Sequence, residues 1–342
     1  MSVDEDTTRR VTADSLKATI ASEGARIWLA LVALVVVSAI IAPGSLSNRA
    51  IVTMLPVAAI LAVASLGQSL TIQQGGIDFT VPGVMTMAAV LATGESSSSD
   101  DKLLRGVVIA LVVSCLIGLL SGVAVALFRI TPIIATLAVN ALVLGAVSSY
   151  ASSAPKQSPP ALASFTIGKT VGIPNAVVIA LVVLAIAVLV QTRMTVGRRF
   201  VAIGDNPATA RAMGMPVTRY VIGTYVAASL CYGMAGIVLA GYVVAPSLSL
   251  GTPYLLATIT AVVIGGTSFG GGRARLIGAA VAALFLTQLN SLLNSMSAPP
   301  STSLMLQALA IAVAVGTGPV VERVRHSRRV RHVSRQQGAL AS

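Results

Sequence analysis

This 342-residue chain is 55% hydrophobic and only 10% charged, with a mean hydropathy of +0.89 and a formal net charge of +12, values that exclude a single soluble core. The positive charge lies in loops beside apolar segments, which argues for membrane topology and against nucleic acid. Cys115 and Cys231 both sit in apolar stretches, so neither a disulfide framework nor metal spacing is present.

A span needs about 20 apolar residues to cross roughly 30 Å of hydrocarbon. Ten stretches qualify as candidates, near 27–42, 51–72, 83–94, 106–128, 132–151, 174–191, 220–243, 254–268, 276–294 and 303–321. The expected fold is an all-α integral membrane protein of about ten transmembrane helices. The stretch 83–94 is short and 254–268 barely long enough, and both adjoin glycine-rich turns, so interrupted or tilted helices are expected there. The first stretch follows an acidic start (Asp4, Glu5, Asp6) and lacks a small-residue cleavage site, so it reads as a span rather than a signal peptide.

With the N-terminus inside, eighteen of the 23 Lys and Arg residues fall on the inner side and five outside. Both termini are then cytoplasmic. Residues 1–26 form an N-terminal segment, 27–321 the transmembrane domain, 192–219 a cytoplasmic loop within it, and 322–342 a basic tail. The outer loops at 95–102 (ESSSSDDK) and 152–160 (SSAPKQSPP) are polar, as such loops should be.

Polar residues inside the spans stand out because unsatisfied polar groups in hydrocarbon are costly. Gln68, Thr71, Gln73 and Gln74 close the second span, just before Asp78, which is expected in a turn that its carboxylate holds. Thr136 and Asn140 are four apart and share a helix face. Thr287, Asn290, Ser291 and Asn294 recur at helical spacing in the ninth span. Two uses fit all of these: interhelical hydrogen bonds, or the lining of a route for a hydroxyl-rich solute. Gln68, Gln73, Gln74, Asp78, Thr136, Asn140, Thr287, Asn290 and Asn294 are the pathway candidates. Gly118 and Gly122 form a GxxxG read as close helix packing. GGIDF (75–79) is echoed by GGTSF (265–269), each after an apolar run.

Between the sixth and seventh spans lies a polar island, Thr192 to Tyr220, with five arginines and one acid, Asp205. It spells a short helix. Asn206 is an N-cap residue, Pro207 suits the first helical position, and Gly214 can end the helix in the left-handed region. Residues 207–213 make about two turns, too few for stability alone. Such a helix needs a partner, and Asn206, Pro207, Ala208, Thr209, Ala210, Arg211, Ala212, Met213 and Gly214 are the docking candidates, with Ala210 expected in the contact.

No Arg, Lys, Glu or His lies at the centre of any predicted span, which weakens ion-driven transport. No phosphate-binding GxxxxGK[ST] loop occurs, and no catalytic Ser/His, carboxylate pair or metal-spaced His group lies within the spans. His326 and His332 belong to the solvated tail.

Four separated segments carry a resemblance: GQSLTIQQGGIDFTVPGVMTMAA (67–89), ITPIIATLAVNALVLG (130–145), GRRFVAIGDNPATARAMGMPV (197–217) and AVVIGGTSFGGGRARLIGAAVAALF (261–285). In residues, order and spacing they resemble the ribose-type permeases of bacterial ABC importers, within the branched-chain amino-acid/ribose permease superfamily. The chain departs from that pattern at Phe79 and at Val81-Pro82-Gly83, where the family usually shows Leu and a Val-Gly-Ser-like run. Pro82 fits the first turn of the following helix. The resemblance implies a non-enzymatic subunit of the bacterial inner membrane, paired with a second permease subunit, either the same chain or a close paralogue. It implies a cytoplasmic ATPase docked on 206–214 that carries ATP and Mg, with no cofactor on this chain, and an extracytoplasmic solute-binding protein. The alternative class is a secondary transporter of a small polar solute.

Overall fold

The computed structural model describes residues 23–312 except 97–98, 152–155, 269, 273 and 310. The N-terminal segment before 23, the basic tail and most of the tenth expected span lie outside the described residues. The fold is a helical bundle: α1 (Glu23–Ile41), α2 (Asn48–Gln73), α3 (Val81–Ser96), α4 (Leu103–Ala126), α5 (Pro132–Tyr150), α6 (Pro160–Ile167), α7 (Asn175–Arg193), α8 (Thr195–Asp205), α9 (Pro207–Ala212), α10 (Val217–Val243), α11 (Tyr254–Ile264) and α12 (Leu276–Ser295). Residues 300–309 are helical again.

Among the described residues, six helices are long and apolar enough to cross a membrane: α2, α4 (from Asp100, with its leading turn), α5, α7, α10 and α12. The two weak stretches are short in the structure as well. α3 has 16 residues, and α11 ends at Ile264 after 11, a length of only about 16 Å at 1.5 Å per residue. α11 stops at the Gly265–Gly266 turn, whereas α3 runs unbroken from Val81, five residues after Gly76. α3 nevertheless occupies the centre, buried without a break from Val81 to Thr93, with α4, α10 and α5 packed around it. α2 forms the other central rod, packed on α10, α12, α7 and α11.

The burial pattern is that of a protein in lipid. α4 turns its small residues inward, among them Gly106, Ala110, Ser114, Gly118 and Gly122, and its large ones outward, including Leu104, Val108, Val112 and Leu116. Lipid tails are as apolar as leucine, so helix contact is driven by close packing rather than by hiding large side chains. The GxxxG works in that way. A Cβ at Gly118 would lie 2.5 Å from the Tyr225 carbonyl oxygen, and one at Gly122 2.8 Å from the Ile222 Cα on α10.

Two connections hold more structure than the sequence suggested. The segment 156–174 contains α6 and a small hairpin of Lys169–Thr170 with Ile173–Pro174. The polar island holds two helices rather than one, because α8 precedes the short α9. Its apolar positions, Val196, Phe200 and Ile203, recur at helical spacing, a signal hidden by the surrounding arginines.

One end of the bundle gathers the start of α2 with the ends of α3, α5 and α10. Tyr242 donates to the Thr53 carbonyl (3.0 Å), Tyr150 donates to Glu95 (2.7 Å), and Arg105 pairs with Glu95 at 3.4 Å. The opposite end gathers the end of α2, the end of α7, α8 and residues 270–272.

Candidate translocation and coupling site

At that second end the chain re-enters the bundle. α2 stops in a cap in which Gly75 N–H donates to the Ile72 carbonyl and Gly76 N–H to the Thr71 carbonyl, with Gly75 at φ +78°. α11 stops in the same way. Gly266 (φ +90°) donates to Val263 and Thr267 to Val262, so the repeat aligns Gly75 with Gly266, one residue off the GGIDF/GGTSF match. Phe269 of that motif lies outside the described residues.

After Gly75 the chain runs back beside α2. With its amide oriented to satisfy every neighbour, Gln68 Nε2 donates to the Tyr232 hydroxyl (3.0 Å) and the Asp78 carbonyl (3.1 Å), while Oε1 accepts the Asp78 N–H (3.3 Å). Asp78, fully buried, accepts through Oδ1 from the Thr80 N–H (2.8 Å) and the Thr80 hydroxyl (2.6 Å). Its Oδ2 has no hydrogen-bond partner among the described residues. Thr80 is the N-terminal neighbour of α3, and its carbonyl accepts the Val84 N–H.

This start of α3 is buried inside the protein, so its free N–H groups call for acceptors from elsewhere in the chain. Two residues of α5 do so. Thr136 Oγ1 accepts the Phe79 N–H (3.1 Å) and Asn140 Oδ1 accepts the Gly83 N–H (2.9 Å). Pro82, in the first turn, has no N–H to satisfy, so proline is tolerated at this interior helix start. The structure thus brings Gln68, Asp78, Thr136 and Asn140 together around one helix start. Sequence reading did not single out Thr80 or Tyr232 beside them. The Asp-x-Thr spacing, a local side-chain-to-backbone pattern, was the available signal for Thr80.

Gln73 and Gln74 lie one turn further out. Gln73 Oε1 accepts from Gln191 Nε2 (2.8 Å), and Gln74 Nε2 donates to the Phe200 carbonyl of α8 (2.9 Å). Thr287, Asn290 and Asn294 form a separate group on α12. Thr287 bonds back to the Ala283 carbonyl (2.8 Å), Asn290 Oδ1 accepts from the Ser303 hydroxyl, and Asn294 is exposed. The nearby Gln288, buried and donating to the Ser38 hydroxyl of α1 (3.1 Å), was not anticipated.

The short helix α9 forms where its capping residues place it. Asn206 Oδ1 accepts the Ala208 (3.1 Å) and Thr209 (2.9 Å) N–H groups, Met213 is the C-cap and Gly214 has φ +76°. Ala210 does not face outward, contrary to expectation. It is 2% exposed and packs with Ile203 and Val217, so it holds α9 to its own chain. The outward face carries Ala208, Thr209, Arg211, Ala212 and Met213, the last 70% exposed. Among the described residues, no group of three or more His, Cys, Asp or Glu side chains could hold a metal ion.

The chain is 29% identical to the ribose import permease protein of Escherichia coli (strain K12) over 292 residues, covering 84% of this chain and 91% of that protein. It is 29% identical over 273 residues to the fructose import permease protein of Rhizobium meliloti (77% and 76% covered), and 26% identical over 260 residues to the D-allose transport system permease protein of E. coli (75% and 79%). No solved structure matches. The profile described as branched-chain amino acid transport system/permease component matches residues 50–315, most of the chain. With its bundle of apolar helices and its re-entrant turn, the chain belongs to that family of membrane permease components.

Proposed function

We propose that this chain is the membrane-spanning permease subunit of an ATP-driven ABC importer for a sugar or sugar-like solute. The observation that carries the reading is α9, an exposed, capped short helix packed on α8 and the start of α10, in a chain of the permease family. Relatives named for ribose import, fructose import and D-allose transport support a hydroxyl-rich solute. The polar groups expected along its route are Gln68, Asp78 and Thr136 at the re-entrant turn, Gln73 and Gln74 below it, and Thr287, Asn290 and Asn294 on α12, while Asn140 beside them serves to cap the start of α3.

In this reading the end bearing α8 and α9 faces the cytoplasm, both termini are cytoplasmic and the chain crosses the membrane about ten times. A separate ATPase, holding ATP and Mg²⁺, docks on 206–214. A solute-binding protein delivers the solute from outside, and a second permease subunit, identical or paralogous, completes the route. ATPase closure then displaces α9 and rocks the bundle between two states.

The test is purification of the full chain from its own membrane in mild detergent, followed by reconstitution. A soluble ATPase should copurify, and uptake should require ATP. Uptake driven by an ion gradient alone, with no ATPase attached, would instead favour a secondary transporter. One observation speaks for that second reading: Asp78 is a buried carboxylate with an oxygen that has no hydrogen-bond partner among the described residues, the kind of group through which ion-driven transporters work.

A further inference from the structure

We infer that the peptide carbonyl of Gln73 is the clamp through which the connector 195–214 sets the position of the re-entrant segment 74–83, making Gly204 and Gln74 positioning residues for transport. The importer reading above enters only as the source of the force on the connector; the clamp rests on contacts independent of it.

Three parts of the chain converge on the last turn of α2. The Gly272 N–H donates to the Gln73 carbonyl at 2.9 Å. Gly204 of α8 approaches the same oxygen so closely that a Cβ there would lie 2.3 Å from it. Gln74 reaches back to the Phe200 carbonyl at 2.9 Å, and Gln191 of α7 holds the Gln73 side chain at 2.8 Å. A backbone-to-backbone contact with no side chain between has little slack, because packed protein is hardly compressible.

The contact is continuous on both sides. Upstream, Ala210 of α9 and Ile203 of α8 share one small buried cluster, so a push on the exposed face of α9 is carried by α8. Downstream, Gly75, Gly76 and Ile77 link Gln74 to Asp78, whose peptide is bonded to Gln68, and the Phe79 and Gly83 N–H groups that follow are bonded to α5. The route from docking face to interior helix start is therefore α9, α8, the end of α2, the turn, then α3. The experiment measures the coupling along this route.

Gly204→Ala is placed in the full chain, reconstituted in nanodiscs of phosphatidylethanolamine and phosphatidylglycerol, and amide hydrogen exchange is followed by mass spectrometry. Exchange across 75–83 should quicken by about tenfold or more while amides around Gly118–Gly122 keep their rates, since local opening is confined to the disturbed unit. In the complex with its ATPase, copurification and ATP hydrolysis should persist, while D-ribose taken up per ATP hydrolysed falls about fivefold or more. The same rates at 75–83 as in wild type, or an unchanged ratio of uptake to hydrolysis, overturns the inference. If Gly204→Ala does not insert, Gln74→Leu removes one hydrogen bond from the clamp without forcing a clash and should move both readouts in the same direction. A wild type that binds no ATPase would sink the importer reading, and the exchange measurement would still decide the clamp.

Discussion

Asn140 on α5 caps the start of α3 from outside: its Oδ1 accepts the Gly83 N–H at 2.9 Å across 57 residues of sequence. A helix beginning at a protein surface has water for its first N–H groups. This one begins in the interior, and α5 takes the place of the water.

Asn140→Leu leaves that N–H without an acceptor, and a buried unsatisfied donor costs about 1–3 kcal/mol. The expected outcome is lower yield and a lower Tm in detergent, with uptake per folded molecule largely preserved. Asn140→Asp keeps the acceptor oxygen and should recover part of the loss. Wild-type stability together with slowed normalised uptake in Asn140→Leu would assign Asn140 to the route instead.

Docking and local folding separate on α9. Ala208→Glu and Met213→Glu place a charge on exposed positions and should leave insertion and Tm unchanged while cutting ATPase copurification about tenfold or more, as expected when a charge must be desolvated in a packed interface. Ala210→Glu forces the charge between Ile203 and Val217 and should disorder the connector itself. Full ATPase recovery with both exposed variants would remove α9 as the docking element.

Asp78→Asn retains one acceptor oxygen for the Thr80 N–H and hydroxyl but puts an NH₂ where Oδ2 has no partner among the described residues. Folded yield should fall modestly and uptake more strongly. Asp78→Leu, which abolishes the Thr80 contacts, should cost a further 1–3 kcal/mol or about that in stability. Uptake and yield equal to wild type in Asp78→Asn would leave the carboxylate with neither a turn-holding nor a solute role.

Asn290 is half-buried on α12 and accepts from the Ser303 hydroxyl. An Asn amide offers a donor and an acceptor to a sugar hydroxyl, whereas Leu offers neither. Asn290→Leu should therefore slow uptake normalised to inserted protein, with ATPase copurification intact. Normal normalised uptake would show that the Ser303 bond is the whole of its role.

The sequence by itself determined what contiguous residues can encode. Apolar runs set the long helices to within a few residues. Asn206, Pro207 and Gly214 fixed both ends of α9, and Gly118 with Gly122 marked the face of α4 that meets α10. These follow from period, capping and side-chain size, which act over a turn or two. Tertiary structure decided the partners. Nothing near Thr136 or Asn140 says that their acceptors serve N–H groups at 79 and 83, and nothing near Ala210 says that it faces Ile203 rather than solvent. The polar census found the right kind of residue at 68, 78, 136 and 140, because hydrocarbon penalises any unsatisfied polar group wherever it lies. Which groups satisfy one another depends on the chain reversing at Gly75 and re-entering beside α2, and that path is set by packing between helices far apart in sequence.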